Sequence, residues 1–247
     1  MVYELTDTGR AAALFDGWEE TLIFSCLQQV MGKIYVTDKK APQSACAHVG
    51  CFAFYAGIPD EELVRRKPEG FVIMTPQNKD WAALIEKCFP EAKRTVRYAI
   101  RKDTKFDKEK LRGMCEWLPE GYCLRKIDGE LYEKCLLHPA TEDFVSVFAD
   151  KEQYLKEGRG IVVLKAGQIV AGASSYTRYR QGIEIEVDTI EPERRQHLAT
   201  AACAALILDC LKEGLYPSWD AQNKASVHLA EKLGYEFSHE YVVYEVE

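Results

Sequence analysis

Apolar and polar positions along the first half of the chain predict alternating helices and strands. Apolar side chains recur at every fourth residue from Leu14 to Val30, which predicts one amphipathic helix over residues 11–31. Shorter apolar runs bounded by glycine, proline or asparagine predict strands. The other elements predicted in this half are strands over 33–37, 50–55, 70–74 and 95–101, and helices over 80–88 and 107–118.

The second half has a more regular order of predicted elements. Turn residues Pro119 and Gly121 mark the predicted boundary, so we divide the chain into residues 1–120 and 121–247. About 125 residues suit one compact domain. The elements predicted in it are a strand at 122–127, a helical region at 131–157, a hairpin at 161–176 turning at Ala166-Gly167, a strand at 183–189, a helix at 198–213, a strand at 218–221, a helix at 223–233 and a strand at 235–246. We therefore expect a mixed α/β fold with an additional N-terminal α/β domain.

Net charge and hydropathy narrow the range of partners. The 247 residues include 32 Lys and Arg against 39 Asp and Glu, a formal charge of −7, which argues against nucleic acid as the main partner. The longest strictly apolar run is the eight residues Ala201–Leu208, too short to span a membrane. The first ten residues lack the pattern of a secretory signal, so a cytoplasmic protein without membrane contact is expected.

Cysteine and histidine spacing predicts no metal site. The nine cysteines are odd in number and include no C-x-x-C pair, which is typical of reduced, buried thiols in a cytosolic protein. The five histidines form no H-x-x-x-H pair and no cluster at ligand spacing. We therefore expect neither disulfides nor a bound metal.

An acidic strand is the first candidate for chemistry. In the strand over 183–189, alternation at period two places the isoleucine and valine side chains on one face and Glu184, Glu186 and Asp188 on the other. Neighbouring carboxylates disfavour each other's ionisation and raise the pKa of at least one of them. The alternative interpretation is a solvated outer face.

A basic turn that leads into an alanine-rich helix follows this strand. Arg194 and Arg195 lie where the predicted helix begins, and a helix start offers unpaired N–H groups and a positive dipole end to phosphate oxygens. Guanidinium groups also bind phosphate in bidentate fashion. The alternative is a helix packed on a sheet with solvated arginines.

The order of these segments resembles the GNAT N-acetyltransferase superfamily. Residues 121–247 carry the resemblance, and for the N-terminal half, which is similar to the extra segment of a two-part subgroup, no specific motif is matched. The matching motifs are the acidic strand, Arg194-x-x-His197-x-Ala199 before the long helix, and Asn223-x-x-Ser226-x-x-Leu229-x-Glu231-Lys232-Leu233-Gly234-Tyr235 after a short strand.

The resemblance implies an acetyl-CoA-dependent acyltransferase and assigns roles to particular residues. Glu184, ten residues before Arg194, is the implied catalytic base, with Glu186 as second choice. The implied cofactor-binding residues are Asp188, Thr189 and Ile190 for the pantetheine arm, Arg194, Arg195, Gln196, His197, Leu198, Ala199 and Thr200 for the diphosphate, and Asn223 and Ser226 for positioning the arm.

Two positions depart from the family pattern. His197 replaces the usual first glycine, so its side chain either points away from the phosphate or adds a donor to it. Ala230 replaces the tyrosine credited as general acid in this family. Candidate replacement donors are Tyr235, Tyr241, Tyr244 and His228, for each of which packing is the simpler interpretation.

The chemistry of acyl transfer supports these assignments. An amine with a pKa of about 10 is mostly protonated at neutral pH, so a base must remove a proton. A thiol with a pKa of about 8.5 leaves readily, which makes the missing tyrosine tolerable. We therefore expect acetyl transfer from acetyl-CoA to a small-molecule primary amine.

Other readings of the same sequence remain open. A non-catalytic acyl-CoA-binding or sensing module, or an acyltransferase with a different acyl donor, would carry similar motifs. For residues 1–120, shaping the acceptor pocket, covering it and forming a homodimer contact are all open.

Overall fold

A computed structural model describes all 247 residues and divides them into two compact units. The first contains Met1–Arg97 together with Glu240–Glu247, and the second contains Tyr98–His239. This division lies earlier than the predicted one after residue 120. Residues 98–120 group with the second unit because Leu111 and Met114 share a core with the later helices.

Thirteen strands and nine α-helices make up these units. The strands are β1 (Tyr3–Glu4), β2 (Lys33–Val36), β3 (Ser44–Val49), β4 (Phe52–Gly57), β5 (Val72–Pro76), β6 (Lys93–Ile100), β7 (Tyr122–Lys126), β8 (Gly160–Lys165), β9 (Gln168–Tyr179), β10 (Gly182–Thr189), β11 (Tyr216–Ser218), β12 (Asp220–Ala221) and β13 (Phe237–Val246). The helices are α1 (Thr21–Leu27), α2 (Glu61–Arg65), α3 (Lys79–Cys88), α4 (Lys108–Cys115), α5 (Gly129–Cys135), α6 (Pro139–Glu142), α7 (Lys151–Glu157), α8 (Leu198–Lys212) and α9 (Lys224–Leu233). The predicted mixed α/β class is confirmed.

In the first unit a mixed sheet packs on a core of aromatic and aliphatic side chains. Strands β1 to β4 pair antiparallel in sequence order, β4 pairs parallel with β5, and β5 pairs antiparallel with the end of β13. Trp81 of α3 and Tyr55 of β4 pack together with their ring centroids 5.4 Å apart. The last strand of the chain, from Glu240 onward, therefore belongs to the N-terminal unit.

The single helix predicted over residues 11–31 is wrong. The structure has a 3₁₀ helix at Thr8–Phe15, followed by a break and then α1. Gly17 lies in the break with φ of +76°, a left-handed conformation that ends a right-handed helix. The spacing-four pattern thus joined two short helices whose apolar faces are both buried.

In the second unit a five-stranded sheet is covered on one face by α8. The strand order is β11-β10-β9-β8-β7, and only the β10–β11 pair is parallel. The hairpin of β8 and β9 turns at Ala166 and Gly167, both with positive φ, as the sequence predicts. Side chains from α8, including Ala202 and Leu206, form one core with Ile183 and Ile185 of β10.

Candidate active site

Strand β10 extends beyond the end of its parallel neighbour β11, so one edge of β10 is left without a neighbouring strand. The register with β11 covers Gly182 to Glu184, opposite Tyr216 to Ser218, and stops there. Strand β10 continues to Thr189 and stays paired with β9 on its other side. From Ile185 to Thr189, backbone groups that point away from β9 therefore have no neighbouring strand.

The predicted alternation along β10 is confirmed. Ile183 and Ile185 belong to the core under α8, so the period of two along the strand places the carboxylates on the opposite face. Glu184 is only 4% exposed and lies at the last position of the parallel pairing, opposite Ser218 on β11 and Thr177 on β9. The simple alternative of a solvated outer face is therefore wrong for Glu184.

Polar side chains surround Glu184 where the strands diverge. The hydroxyls of Tyr179 and Ser218 are 2.9 Å apart and both are buried. Burial raises the pKa of Tyr179 to about 12, and the nearby Glu184 carboxylate adds to this rise. Tyr179 is therefore a neutral hydroxyl at physiological pH. The sequence did not single out this pair, because only the parallel register brings them together.

The other two acids of β10 bond to their own strand. The Glu186 carboxylate accepts from the N–H of Val187 at 3.1 Å, and that of Asp188 accepts from the N–H of Thr189 at 2.7 Å. The N–H of Ile190 donates to the carbonyl of Val170 beside it at 3.0 Å, so alternation directs the N–H groups of Val187 and Thr189 toward the open edge.

The basic turn folds back onto the end of β10. A short 3₁₀ turn, Glu191–Glu193, follows the strand. Arg194 then donates through Nε to the carbonyl of Thr189 at 3.1 Å, with its guanidinium 3.9 Å from the Asp188 carboxylate. Arg195 adopts a left-handed φ of +64° and is exposed. The Arg194 guanidinium therefore lies at the end of the open edge, and Arg195 follows it in the turn that leads to α8.

The side chain of Gln196 is held by a polar cluster that the sequence did not reveal. It donates to Glu193 at 2.8 Å, and the hydroxyl of Tyr122 donates to Glu193 at 2.5 Å. Lys165 completes the cluster at 2.6 Å from Glu193 and lowers the pKa of that carboxyl. These bonds fix the orientation of the Gln196 side chain and use one of its two amide N–H donors.

The start of α8 has no side-chain cap. Residue 197 is the N-cap and makes no capping hydrogen bond, whereas a side chain caps every other α-helix of this unit. His138, the N-cap of α6, accepts from the N–H of Ala140 through Nδ1. The first N–H groups of α8 therefore point to the basic turn without a side-chain acceptor. Leu198 and Thr200 are buried, and the small Ala199 is half-buried.

His197 adopts a glycine-like backbone but turns its ring toward other residues. Its φ is +63°, in the left-handed region. The ring stacks edge-on to Trp117 with centroids 5.7 Å apart, and Nδ1 lies 3.2 Å from the ammonium of Lys232. Of the two alternatives for this side chain, the structure shows the ring engaged with Trp117 and Lys232.

Asn223 caps α9 as its residue type predicts. Its side-chain oxygen accepts from the N–H of Ser226 at 3.0 Å, and the Ser226 hydroxyl accepts from the indole of buried Trp219 at 3.1 Å. Both predicted residues therefore have a structural role at the start of α9.

Position 230 and two of its four candidate substitutes, Tyr235 and Tyr244, are committed to packing or to other hydrogen bonds. Ala230 is 0% exposed within the core. The buried hydroxyl of Tyr235 donates to the carbonyl of Pro217 at 2.6 Å. Tyr244 belongs to the first unit, where its hydroxyl donates to Glu86. His228 is exposed on α9.

The structure also bears on membranes and metals. None of the helices combines the length and the hydropathy that crossing a bilayer requires. No three side chains among histidine, cysteine, aspartate and glutamate converge in the way that a metal ion requires.

The fold and this site together define an acyltransferase enzyme. A family model described as GNAT acetyltransferase matches residues 12–244, nearly the whole chain. The chain belongs to this GNAT acetyltransferase family.

Individual relatives agree with that assignment. An uncharacterized N-acetyltransferase of Bacillus subtilis (strain 168), YdfB, is 24% identical, with 93% of this chain and 91% of that protein covered. A crystal structure of a GCN5-related N-acetyltransferase-like protein from Streptococcus suis 89/1591 is 46% identical with a TM-score of 0.92, covering 97% of this chain and 98% of that one. A GNAT-family acetyltransferase from Colwellia psychrerythraea, 14% identical with a TM-score of 0.53 and both chains fully covered, shows the fold alone.

Proposed function

We propose that this enzyme transfers an acetyl group from acetyl-CoA to a small-molecule primary amine. The observation that carries the proposal is the open edge of β10 beside the uncapped start of α8, with Arg194 bonded to the strand between them. The open edge supplies backbone groups for an extended amide-bearing arm. The helix start supplies N–H groups and a positive dipole end for a diphosphate.

The residues present fit such a donor. The N–H groups of Leu198, Ala199 and Thr200 would hold the diphosphate, with Arg194 and Arg195 adding charge. The N–H groups of Val187 and Thr189 would pair with the pantetheine arm, in exchange for the Glu186 and Asp188 carboxylates that accept from them now. Ile190 fits this role less well, because its N–H is bonded to Val170.

Glu184 is the better candidate for the catalytic base. Its carboxylate lies on the acidic face where β10 and β11 part, and Glu186 is engaged with its own strand. The amine of the acceptor must lose a proton before it attacks the thioester carbonyl, and Glu184 would take that proton directly or through a water molecule. Thioester chemistry supplies the leaving thiolate, whose pKa of about 8.5 makes a general acid dispensable.

The acceptor is proposed as a small amine because the acidic face of β10 favours a cation. Glu186 and Asp188 lie on that face next to Glu184 and would attract an ammonium group before deprotonation. A panel of primary amines with detection of free thiol tests the function. Thiol release that needs both acetyl-CoA and an amine is expected, and release from neither would contradict the proposal. Competition with propionyl- and succinyl-CoA separates acetyl from other acyl donors.

A further inference from the structure

Three side chains from separate helix ends meet beside the start of α8. Trp117 follows α4, His197 precedes α8, and Lys232 lies in the last turn of α9. The Lys232 ammonium lies 4.9 Å from the centre of the Trp117 ring and 3.2 Å from His197 Nδ1. The Trp117 and His197 rings complete the triangle. We call these three residues the histidine clamp.

The clamp holds a residue whose backbone is strained. A left-handed conformation places Cβ too close to the neighbouring carbonyl in any residue other than glycine. His197 has this conformation with φ of +63° and makes no capping bond of its own that would stabilise it. The contacts with Trp117 and Lys232 are the interactions that its side chain makes, and they are placed to hold the residue in this conformation.

In the histidine clamp, the Lys232 ammonium faces two groups that attract a positive charge, the His197 Nδ1 and the Trp117 ring. An ammonium can only donate, so Nδ1 of His197 is the acceptor in its bond with Lys232. The Trp117 ring presents its face to the ammonium, which is a cation–π contact, and its 44% exposure leaves that contact partly solvated. Packing of α4 against α8 holds Trp117 at this distance.

We infer that Trp117 and Lys232 are positioning residues that hold His197 in the left-handed conformation, so that the first N–H groups of α8 are directed at the donor diphosphate. The effect expected on KM for acetyl-CoA rests on the proposed function. The clamp also explains how the loop tolerates a histidine where a glycine would adopt the same backbone without strain. The clamp acts on binding of the donor and leaves the acyl-transfer step untouched.

The test is a double-mutant cycle between positions 117 and 197. Trp117→Ala is expected to raise KM for acetyl-CoA about two- to fivefold, the size of one cation–π contact at an exposed site, with kcat unchanged. In the His197→Gly background the same substitution should leave KM unchanged, because glycine needs no clamp. Lys232→Met should behave like Trp117→Ala in both backgrounds. Matched controls are Phe237→Ala, another exposed aromatic residue, and Lys212→Met at the far end of α8.

Amide hydrogen exchange in the protein without acetyl-CoA tests the histidine clamp independently of donor binding. The N–H of Ala201 donates to the carbonyl of His197 at 3.0 Å, so its exchange reports whether the first turn of α8 is held. Trp117→Ala should speed this exchange in the wild-type background and have no effect in the His197→Gly background. Equal effects in both backgrounds, or none in either, would overturn the clamp. Failure of the wild type to bind acetyl-CoA would instead overturn the proposed function, and the exchange data would still decide the clamp.

Discussion

Substitution of Tyr235 can decide whether its hydroxyl has a structural or a catalytic role. The sequence leaves it open as a substitute for the tyrosine missing at Ala230, whereas the structure commits its hydroxyl to the carbonyl of Pro217 at 2.6 Å. The residue is 3% exposed, and burial raises its pKa well above the usual value, so the hydroxyl stays protonated and cannot respond to assay pH. We therefore expect Tyr235→Phe to affect stability and not catalysis.

The size of the effect follows from the buried bond. Removing a donor from a buried carbonyl costs about 1–2 kcal/mol, within the range measured for such losses. In a protein of this size each kcal/mol shifts Tm by about 2–4 °C, so Tm should fall by about 2–8 °C. Phenylalanine keeps the ring contacts with Phe106 and Trp219, so no cavity larger than the hydroxyl is created.

Thermal unfolding and steady-state thiol release measured on the same preparation check this prediction. Tyr98→Phe is the matched control, because Tyr98 is a half-buried tyrosine of the same unit whose ring packs on Phe237. Unchanged kcat with a lowered Tm is expected for Tyr235→Phe. A fall in kcat of a hundredfold or more with Tm unchanged would refute the structural role and make Tyr235 the general acid.

Further predictions concern the base, the helix starts and alkaline stability. Glu184→Gln should lower kcat by about 10²–10⁴-fold and remove the acidic limb of the pH–rate profile, leaving only the rise that follows the amine's own deprotonation; Glu186→Gln should keep that limb. Ala199→Glu should abolish acetyl-CoA binding in calorimetry, because it places a carboxylate where the diphosphate is held, while the circular dichroism spectrum stays that of the wild type. Asn223→Ala should lower the free energy of unfolding by about 1 kcal/mol through loss of the α9 cap, measured by urea titration. The pKa of Tyr179 is about 12 in the folded protein and about 10 in the unfolded chain. This group therefore stabilises the fold below pH 10, and its contribution is lost as pH rises toward 12. Urea titrations should show that the free energy of unfolding falls less between pH 9 and pH 11 in Tyr179→Phe than in the wild type.

Elements with strong local signals could be predicted from the sequence. The helix at 198–212 and the acidic strand before it have a continuous apolar run and a strict period of two, and both lie where those patterns indicate. The prediction of one helix over 11–31 was wrong because the apolar positions of two short helices are in phase across the break at Gly17. Strand β3 was missed because its sequence, Ser-Ala-Cys-Ala-His-Val, shows no clear alternation of apolar and polar residues, and helix α2 was missed because its five residues are too few to reveal a helical period.

The candidate site was predictable in its parts but not in its contacts. Motif spacing identified the basic turn and the acids, since these lie in continuous segments. The placement of Ser218 opposite Glu184 depends on a parallel register between strands more than thirty residues apart in the chain, which no local pattern encodes. The same holds for Trp117, which is far from His197 in sequence and comes next to it through the packing of α4 on α8.

Calorimetric titration of the wild-type protein and of Ala199→Glu with acetyl-CoA decides whether the start of α8 binds the donor. We expect saturable binding to the wild type that weakens as salt is added, because Arg194 and Arg195 contribute charge, and no binding to the variant. Absence of binding to the wild type at hundreds of micromolar acetyl-CoA, or equal binding to both proteins, would contradict the claim that the start of α8 holds the donor's diphosphate.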